Sequence, residues 1–385
     1  NHAVKHTEFY SDFKTKNLES FPVTNKNIIK ENYSKILSHI YKHENLKKVT
    51  TSGSTGTPFM VEQGRTKRYR HIADNIYFNN RAGLKLGEKL FYLRIWNKMV
   101  DRGKFKNFVQ NIIPIEASKL DLESIEKNII SKILNDNSKK SILAYASTHE
   151  AIVKAIEKKY SKPFDANVVS ILSMSETLPK DVKAKLEYYF NCKVVSRYSN
   201  MENGFIGQQL KAESLSEYLI NLASYELEIL KLNEDKPVKE GEIGRIVVTD
   251  LFNFALPLIR YDTGDVASIT YLNYDGVKLP VFDRIEGRKV DFITDVNGDL
   301  ISPHVITNSL WKYPEVKQFQ FIQHDENKYE MKLNIEERRE KVSELVKGEL
   351  IKYVGKSAKI EFTFVDEIPL LSSGKRKKVM NISND

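Results

Sequence analysis

Between residues 121 and 197 the apolar pattern changes period repeatedly. Leu122, Ile125, Ile129, Ile130, Ile133 and Leu134 recur at helical spacing, residues 142–146 form a short apolar run, and a helix then extends to Lys159. A second run over 168–174, a helix over 180–189 and a strand over 194–197 follow. Short apolar strands alternating with helices bury both sheet faces only when the strands are parallel and the helices cover them. The expectation is therefore α/β. Upstream, residues 22–42 predict a turn and one helix (Ile28, Ile29, Tyr33, Ile36, Leu37, Ile40), residues 66–82 a second helix, and residues 89–96 a strand. From Tyr218 the pattern becomes short strands, 226–232, 244–250, 256–261 and 266–271, which suggest a sheet or partial barrel. After about residue 287 comes a βαββαβ-like tail, with helices near 303–312 and 337–353 and strands around 316–323, 328–334 and 358–365. A chain of 385 residues is long for one core. We place the boundary at Gly287-Arg288, giving a large domain over 1–287, with helix-covered sheets and a β-rich subdomain, and a small α+β domain over 288–385.

The densest local signal is Thr51-Ser52-Gly53-Ser54-Thr55-Gly56-Thr57-Pro58, five hydroxyl side chains and two glycines closed by a proline. Hydroxyls and unencumbered backbone N–H groups suit a loop that wraps a polyanion such as a nucleotide phosphate. It is not a Walker A loop, because Thr57 and Pro58 stand where that motif has its lysine and enters a helix. A solvated linker has the same composition, but this stretch is short and lies between patterned segments.

The net charge of +9 raises nucleic acid as a partner. The basic residues are interleaved with acids along amphipathic helices, without an aromatic-studded stripe, which argues against it. No apolar run is long enough to span a bilayer. The single cysteine, Cys192, precludes an internal disulfide, reads as a structural thiol, and fits a reducing cytoplasm. The first residues, Asn1-His2-Ala3-Val4-Lys5, carry no initiator Met and no apolar signal region. Ser147-Thr148-His149-Glu150 fits a capping box, which makes His149 a first-turn surface residue rather than a catalytic base, on a stretch able to line a pocket.

Three further segments suggest chemistry. Arg197-Tyr198-Ser199-Asn200-Met201-Glu202-Asn203-Gly204 is a polar, glycine-closed loop at a strand end, where open α/β sheets bind ligands. Tyr198 could stack on a base and Glu202 could hold a divalent cation; a solvated polar loop looks similar. Pro257-Leu258-Ile259-Arg260-Tyr261-Asp262-Thr263-Gly264-Asp265 sets two carboxylates around a Thr-Gly turn, suited to ribose hydroxyls or simply to turning the chain. Ser372-Ser373-Gly374-Lys375-Arg376-Lys377-Lys378 puts lysines on a Ser/Gly loop near the C-terminus, in isolation a basic tail.

In this order and spacing the segments, with Phe21-Pro22-Val23-Thr24-Asn25-Lys26 and Arg284-Ile285-Glu286-Gly287-Arg288, resemble the acyl-adenylate-forming enzymes, in particular the phenylacetate–CoA ligase and CapK-like branch. The resemblance covers nearly the whole chain from Phe21. It implies a ligase that joins ATP and a small carboxylic acid into an acyl-adenylate, releases pyrophosphate, and passes the acyl group to an acceptor. That acceptor would be coenzyme A, a carrier-protein phosphopantetheine, or an amine or hydroxyl of a polysaccharide-pathway compound. Carried over, Thr51, Ser52, Ser54, Thr55 and the backbone of Gly53 and Gly56 would hold the triphosphate. Tyr198 would lie on the adenine, with Ser199 in the same nucleotide site, and Glu202 would position Mg2+. Asp265 would bind the ribose with Arg288 nearby, and Lys375, brought by a mobile C-terminal domain, would bridge the substrate carboxylate and α-phosphate. The acid would bind near residues 145–149, Ser173 and Ser199. Monomer and homodimer both fit.

One departure stands out. The family's hinge aspartate, two residues after the arginine matched by Arg288, is Val290 here, and Asp291 follows it. If that altered hinge blocks rotation, acyl-AMP forms while transfer to a thiol is slow. It also leaves a second class of function open: a nucleotide-binding module that has lost catalysis.

Overall fold

The computed structural model describes residues 1–13, 17–51, 59–96, 103–118, 120–210, 217–274, 276–310, 313, 315–335, 339–369 and 376–383. The chain forms two compact units, Asn1–Thr263 with Ala267–Ile285, and Gly264–Val266 with Glu286–Asp385.

The first unit begins with α1 (His2–His6), α2 (Lys26–Glu31) and α3 (Tyr33–Ile36). The single helix expected here is divided at Asn32, whose Nδ2 donates to the Ile28 carbonyl (3.0 Å) and competes with the helical ladder. A hairpin of β1 (Lys47–Thr51) and β2 (Phe59–Gln63) leads to α4 (Arg65–Ala82). The alternating region then gives β3 (Lys89–Arg94), α5 (Lys104–Val109), β4 (Ile112–Glu116), α6 (Leu122–Ile125), α7 (Ser131–Asn135), β5 (Lys140–Tyr145), α8 (Ala146–Lys159), β6 (Val168–Met174), α9 (Lys180–Phe190) and β7 (Lys193–Asn200). A π-helical turn over Glu126–Ile130 joins α6 to α7, so the helix expected over 121–135 is present with a bulge at its middle. Strands β3 to β7 pair in parallel, as the alternation requires.

The sheet does not stop at β7. Beyond Ser196, which still registers with Ser173 of β6, the strand continues and pairs antiparallel with β8 (Gly204–Gln209). Strands β9 (Tyr218–Ile220), β10 (Tyr225–Leu230), β11 (Ile243–Asp250), β12 (Tyr261–Tyr274) and β13 (Val277–Arg288) complete one sheet of eleven strands, ordered β10-β11-β12-β13-β9-β8-β7-β6-β5-β3-β4. The sheet or partial barrel expected after Tyr218 is thus the antiparallel half of this one sheet. Residues 256–260, expected as a strand, are irregular and end on Arg260 at φ 45°. Ile206, Ile220, Tyr225, Ile246, Val248 and Phe282 form the core beneath the antiparallel half.

The second unit contains the hairpin β14 (Ile293–Thr294) and β15 (Leu300–Ile301), α10 (Pro303–Leu310), β16 (Gln318–Asp325), β17 (Lys328–Asn334), α11 (Arg339–Val354), β18 (Lys359–Phe364) and β19 (Val379–Asn381). Its four-stranded sheet has the order β18-β17-β16-β19. Val342, Val346, Leu350 and Val354 recur every fourth residue along α11 and bury one face against the sheet, where Phe321 and Tyr329 stack at 5.5 Å. Among the described residues no helix is long and apolar enough to cross a membrane.

Candidate active site

The hydroxyl-rich segment joins the two strands of the β1–β2 hairpin, and the pair Thr51↔Phe59 closes its base. Ser52, Gly53, Ser54, Thr55 and Gly56 lie outside the described residues, and Thr51 is the last residue of β1. At this base Phe59 is buried, with its ring 6.2 Å from Tyr261 and inclined by 14°. Tyr261, the first residue of β12, donates its hydroxyl to Glu202 Oε1 at 3.1 Å. The Lys26 ammonium, from the first position of α2, lies 3.0 Å from the same oxygen. The Glu202 side chain is only 3% exposed and that of Lys26 36%. A carboxylate at that depth needs a charge or donor beside it, and the ammonium and phenol supply both. Three segments that are distant in the chain therefore meet at one carboxylate, and the hairpin base joins them through the Phe59–Tyr261 stack.

The turn that carries Glu202, Met201–Asn203 between β7 and β8, is held from several sides. The Asn203 N–H donates to Asn200 Oδ1 (2.7 Å), Asn200 Nδ2 donates to Asn203 Oδ1 (3.0 Å), and Gln63 Nε2 donates to the Glu202 carbonyl (3.3 Å). The Asn203 carbonyl accepts from the Tyr225 hydroxyl. That hydroxyl in turn accepts from Lys67 Nζ at 3.1 Å, and Lys67 forms a fully buried ion pair with Asp250. The turn closes on Gly204 at φ 98°, where a Cβ would stand 2.5 Å from His71 Nδ1, so only glycine fits.

Lys26 is placed by an equally specific contact. Thr24 exchanges backbone bonds with the Arg260–Asp262 segment: Thr24 N–H to the Arg260 carbonyl (2.9 Å) and Asp262 N–H to the Thr24 carbonyl (2.8 Å). Arg260 is buried and grips both Glu228 oxygens (3.0 and 2.8 Å), while its third nitrogen donates to the carbonyls of Glu19 (3.0 Å) and Phe21 (2.9 Å). The planar guanidinium thus fastens the N-terminal segment to the strand that carries Tyr261.

The other residues singled out from the sequence fall as follows. Tyr198 is half-buried on β7, edge-on to Phe282 at 5.7 Å, and a β-bulge between Tyr198 and Ser199 redirects the strand just before the Glu202 turn. Ser199 is exposed. Tyr198, Ser199 and Glu202 therefore share one strand end. Asp265, half-buried on β12, and Arg288, exposed at the end of β13, are counted in the second unit. Lys375 lies outside the described residues, but its flanks are anchored: Arg376 Nε donates to the Ile368 carbonyl (2.6 Å) and Lys377 pairs with Asp291 (2.8 Å). Lys289–Asp291 is a single 3-10 turn.

Two expectations need correcting. Helix α8 begins at Ala146 with Tyr145 at its cap, and the Ser147 N–H is accepted by Glu176 (3.0 Å), so a carboxylate from another segment does the work expected of a capping box. His149 is not at the surface: it is 1% exposed, with Nε2 at 3.1 Å from the Leu172 carbonyl. Nδ1 of His149, Thr148 Oγ1 and Ser173 Oγ are buried near the carboxyl ends of β5 and β6 without a hydrogen-bond partner among the described residues. Burial pulls the His149 imidazole down to about 4. It stays neutral in the fold while the unfolded chain takes up a proton near the ordinary value of 6.5. Its contribution is therefore full above pH 6.5 and falls as pH drops toward 4, by about 3 kcal/mol in all. Urea unfolding across that range should show the loss, and a His149→Gln variant should have a flatter profile; parallel profiles would contradict it. Burial pushes the thiol of the half-buried Cys192 up to about 12, which fits a structural thiol.

Lys26 and Tyr261 lie within the larger motifs Phe21–Lys26 and Pro257–Asp265, which assign neither a role; nothing local signals that they meet Glu202. Among the described residues no group of three or more His, Cys, Asp or Glu side chains gathers to hold a metal. One buried carboxylate is what a Mg2+ ion carried mainly on phosphate oxygens asks of a protein, so Glu202 fits that ion. A wide concavity of about 650 Å3 beside the β10–β11 connection, lined by Lys231, Glu234, Ile243 and Arg284, contains none of these residues.

Comparison with known proteins agrees with this architecture. Residues 293–382 match the CapK C-terminal domain. The chain is 26% identical to protein CapK of Staphylococcus aureus over 410 residues, covering 99% of this chain and 86% of CapK. It is 20% identical to the phenylacetate-coenzyme A ligase of Thermus thermophilus over 263 residues, 66% of this chain and 57% of that protein. Among solved structures, 2-hydroxyisobutyryl-CoA ligase with an acyl-AMP superposes with a TM-score of 0.76 at 16% identity, over 100% of this chain and 87% of the ligase. O-succinylbenzoate coenzyme A synthetase of Bacillus subtilis, bound to ATP and magnesium, gives 0.59 at 16% identity, over 86% and 68%. The chain thus has the fold of these ligases along its whole length, and its residues 293–382 match the CapK C-terminal domain.

Proposed function

We propose that this protein activates a carboxylic acid with ATP. An oxygen of the acid's carboxylate attacks the α-phosphorus, the bond from that phosphorus to the bridging oxygen breaks, and pyrophosphate leaves, yielding an acyl-adenylate. An acceptor nucleophile then attacks the acyl carbon, its bond to the phosphate oxygen breaks and AMP leaves; the acceptor is the thiol of coenzyme A, which the names of the structural relatives favour, a phosphopantetheine thiol, or an amine or hydroxyl. The observation that carries the reading is the convergence of Lys26 and Tyr261 on Glu202, with the hydroxyl-loop base stacked on Tyr261 through Phe59.

In this reading residues 1–287 bind nucleotide and acid, and residues 288–385 bring Lys375. Thr51, Ser52, Gly53, Ser54, Thr55 and Gly56 orient the phosphates, Tyr198 and Ser199 line the nucleotide site, and Asp265 and Arg288 hold the ribose. Glu202 would hold Mg2+, which would supply neutralisation of phosphate charge. Lys26, paired with Glu202 at 3.0 Å, would add a second positive charge beside the phosphates. Lys375 draws the two anionic reactants together against their repulsion. Such chemistry needs positioning and charge neutralisation rather than a covalent catalyst. Carboxylate-dependent exchange of labelled pyrophosphate into ATP, run over a panel of acids, tests the proposal and identifies the acid. ATP binding without exchange for any acid would favour a nucleotide-binding module instead.

A further inference from the structure

The carboxyl ends of β3, β5, β6 and β7 carry two arginines that no described carboxylate neutralises. In register, Tyr92 lies beside Leu143, Leu143 beside Leu172, and Leu172 beside Val195. Alternation along each strand sets the next row on the same sheet face: Arg94, Tyr145, Met174 and Arg197. The arginines end the row, with β5 and β6 between them. Arg94 Nη1 donates to the Tyr92 hydroxyl at 3.1 Å, and the Arg197 guanidinium is also within electrostatic reach of that hydroxyl. The hydroxyl lies 4.0 Å from the Met174 sulfur. Tyr145 and Met174 are buried, while Tyr92 and both arginines are half-buried.

Aromatic rings and single polar contacts hold the two guanidiniums. Arg94 lies 5.5 Å from the Tyr92 ring and 5.7 Å from that of Trp96. Arg197 lies 4.6 Å from the Phe205 ring and donates Nη2 to Asn79 Oδ1 at 2.6 Å. Ring faces and an amide orient a cation without cancelling its charge. Both Nε–H groups are buried and find no acceptor among the described residues. Glu116, in register with Arg94, instead accepts from the N–H groups of Trp96 (3.2 Å) and Ser118 (3.0 Å). Glu176, just past β6, accepts from the Ser147 N–H (3.0 Å). Neither forms an ion pair with Arg94 or Arg197. Burial lowers the Arg197 guanidinium to about 10, a cost that an anion beside it would offset.

An Nε–H with its neighbouring Nη–H is the edge that a carboxylate or phosphate grips with two oxygens. The carboxylate that attacks the α-phosphorus has to lie with the nucleotide, beside Tyr198 and Glu202. Tyr198, the residue after Arg197, turns to the opposite face of β7 and packs on Phe282. The arginines are therefore left for a different anionic group. We infer that the acid carries a second anionic group, a carboxylate or a phosphate, gripped by Arg94 and Arg197 while its body lies against Tyr92, Tyr145 and Met174. The inference rests on the proposed adenylation for the fate of the acid, though not for its binding.

Matched acids test it in pyrophosphate exchange with the intact protein: butyrate against succinate, valerate against glutarate, benzoate against isophthalate, and phosphonopropionate for the phosphate arm. The dianionic member of at least one pair should be preferred in kcat/KM. Arg94→Met should cut that preference by about 10- to 100-fold, the worth of hydrogen bonds to a charged group, through KM for the acid and not for ATP. Arg94→Lys, which keeps the charge, should fall between. Arg197→Met should act likewise, but Arg197 also braces α4 through Asn79, so Arg94→Met is the deciding variant. Without ATP, the preferred dianion should raise the Tm of the wild type and not that of Arg94→Met. Equal exchange for both members of every pair overturns the inference and leaves adenylation standing. So does an Arg94→Met variant that loses both members equally, since the arginine would then only brace the fold. Arginine-dependent binding of a dianion with no exchange for any acid would keep the anion site and remove the adenylation reading.

Discussion

Lys67→Met is expected to destabilise the protein by about 3–5 kcal/mol, the usual cost of leaving one member of a buried ion pair without its partner. Folded domains are stable by only about 5–15 kcal/mol in all. Lys67 and Asp250 are both fully buried, so neither charge can recover hydration by a small movement. Asp250 also accepts from the backbone N–H groups of Phe252 (2.9 Å) and Asn253 (3.0 Å), which keeps its carboxylate in place after the lysine is removed. Equilibrium urea unfolding measures the loss. Lys67→Met combined with Asp250→Asn should recover part of it, since the stranded charge is gone while the backbone acceptor remains. Because Lys67 also donates to Tyr225, which holds the Asn203 carbonyl, residual folded Lys67→Met protein should have a loosened Glu202 turn as well. A loss below about 1 kcal/mol would mean that water reaches this pair.

Glu202→Gln should have the opposite profile, with little effect on stability and a large one on activity. The amide keeps the shape and still accepts from Tyr261, and Lys26, at 36% exposure, can turn to solvent. Stability should change by about 1 kcal/mol or less. Adenylation should fall by about 100- to 1,000-fold, the range seen when one preorganised electrostatic group is removed from a reaction centre. Part of that loss should be recovered at high Mg2+ concentration if the carboxylate acts through the cation. Full activity in the variant would remove Glu202 from the chemistry and leave it as a packing residue.

What could be read from the sequence follows from where burial is two-sided. Strands β5, β6 and β7 carry short apolar runs because helices cover both faces, and those runs announce themselves. Strands β12 and β13 do not. They contain Asp262, Gly264 and Asp265, and Lys278, Asp283 and Glu286, because much of their length is only half covered, and their continuity is visible only in the sheet. Residues 66–82 read as a helix, which α4 is, although the exposed Tyr69, Ile72, Ile76 and Tyr77 blur the contrast between faces that usually marks one. His149 misled for a local reason: a polar residue in a helical first turn suggests surface, whereas α8 lays that turn against the interior strand β6.

The site was legible as separate motifs and not as a constellation. Glu202 stands out by its polar, glycine-closed loop, whereas Tyr261 only precedes the Asp262–Asp265 turn that draws the eye. Their meeting with Lys26 depends on Arg260, which joins Glu228, Glu19 and Phe21, residues with no spacing rule between them.

The most direct test of the adenylate-forming account is carboxylate-dependent exchange of labelled pyrophosphate into ATP by the wild-type protein and by Lys375→Ala. The account predicts exchange with at least one acid of a broad panel and a loss of about 100-fold or more in the variant. Exchange that is absent for every acid while ATP still binds, or that is undiminished in Lys375→Ala, would contradict it.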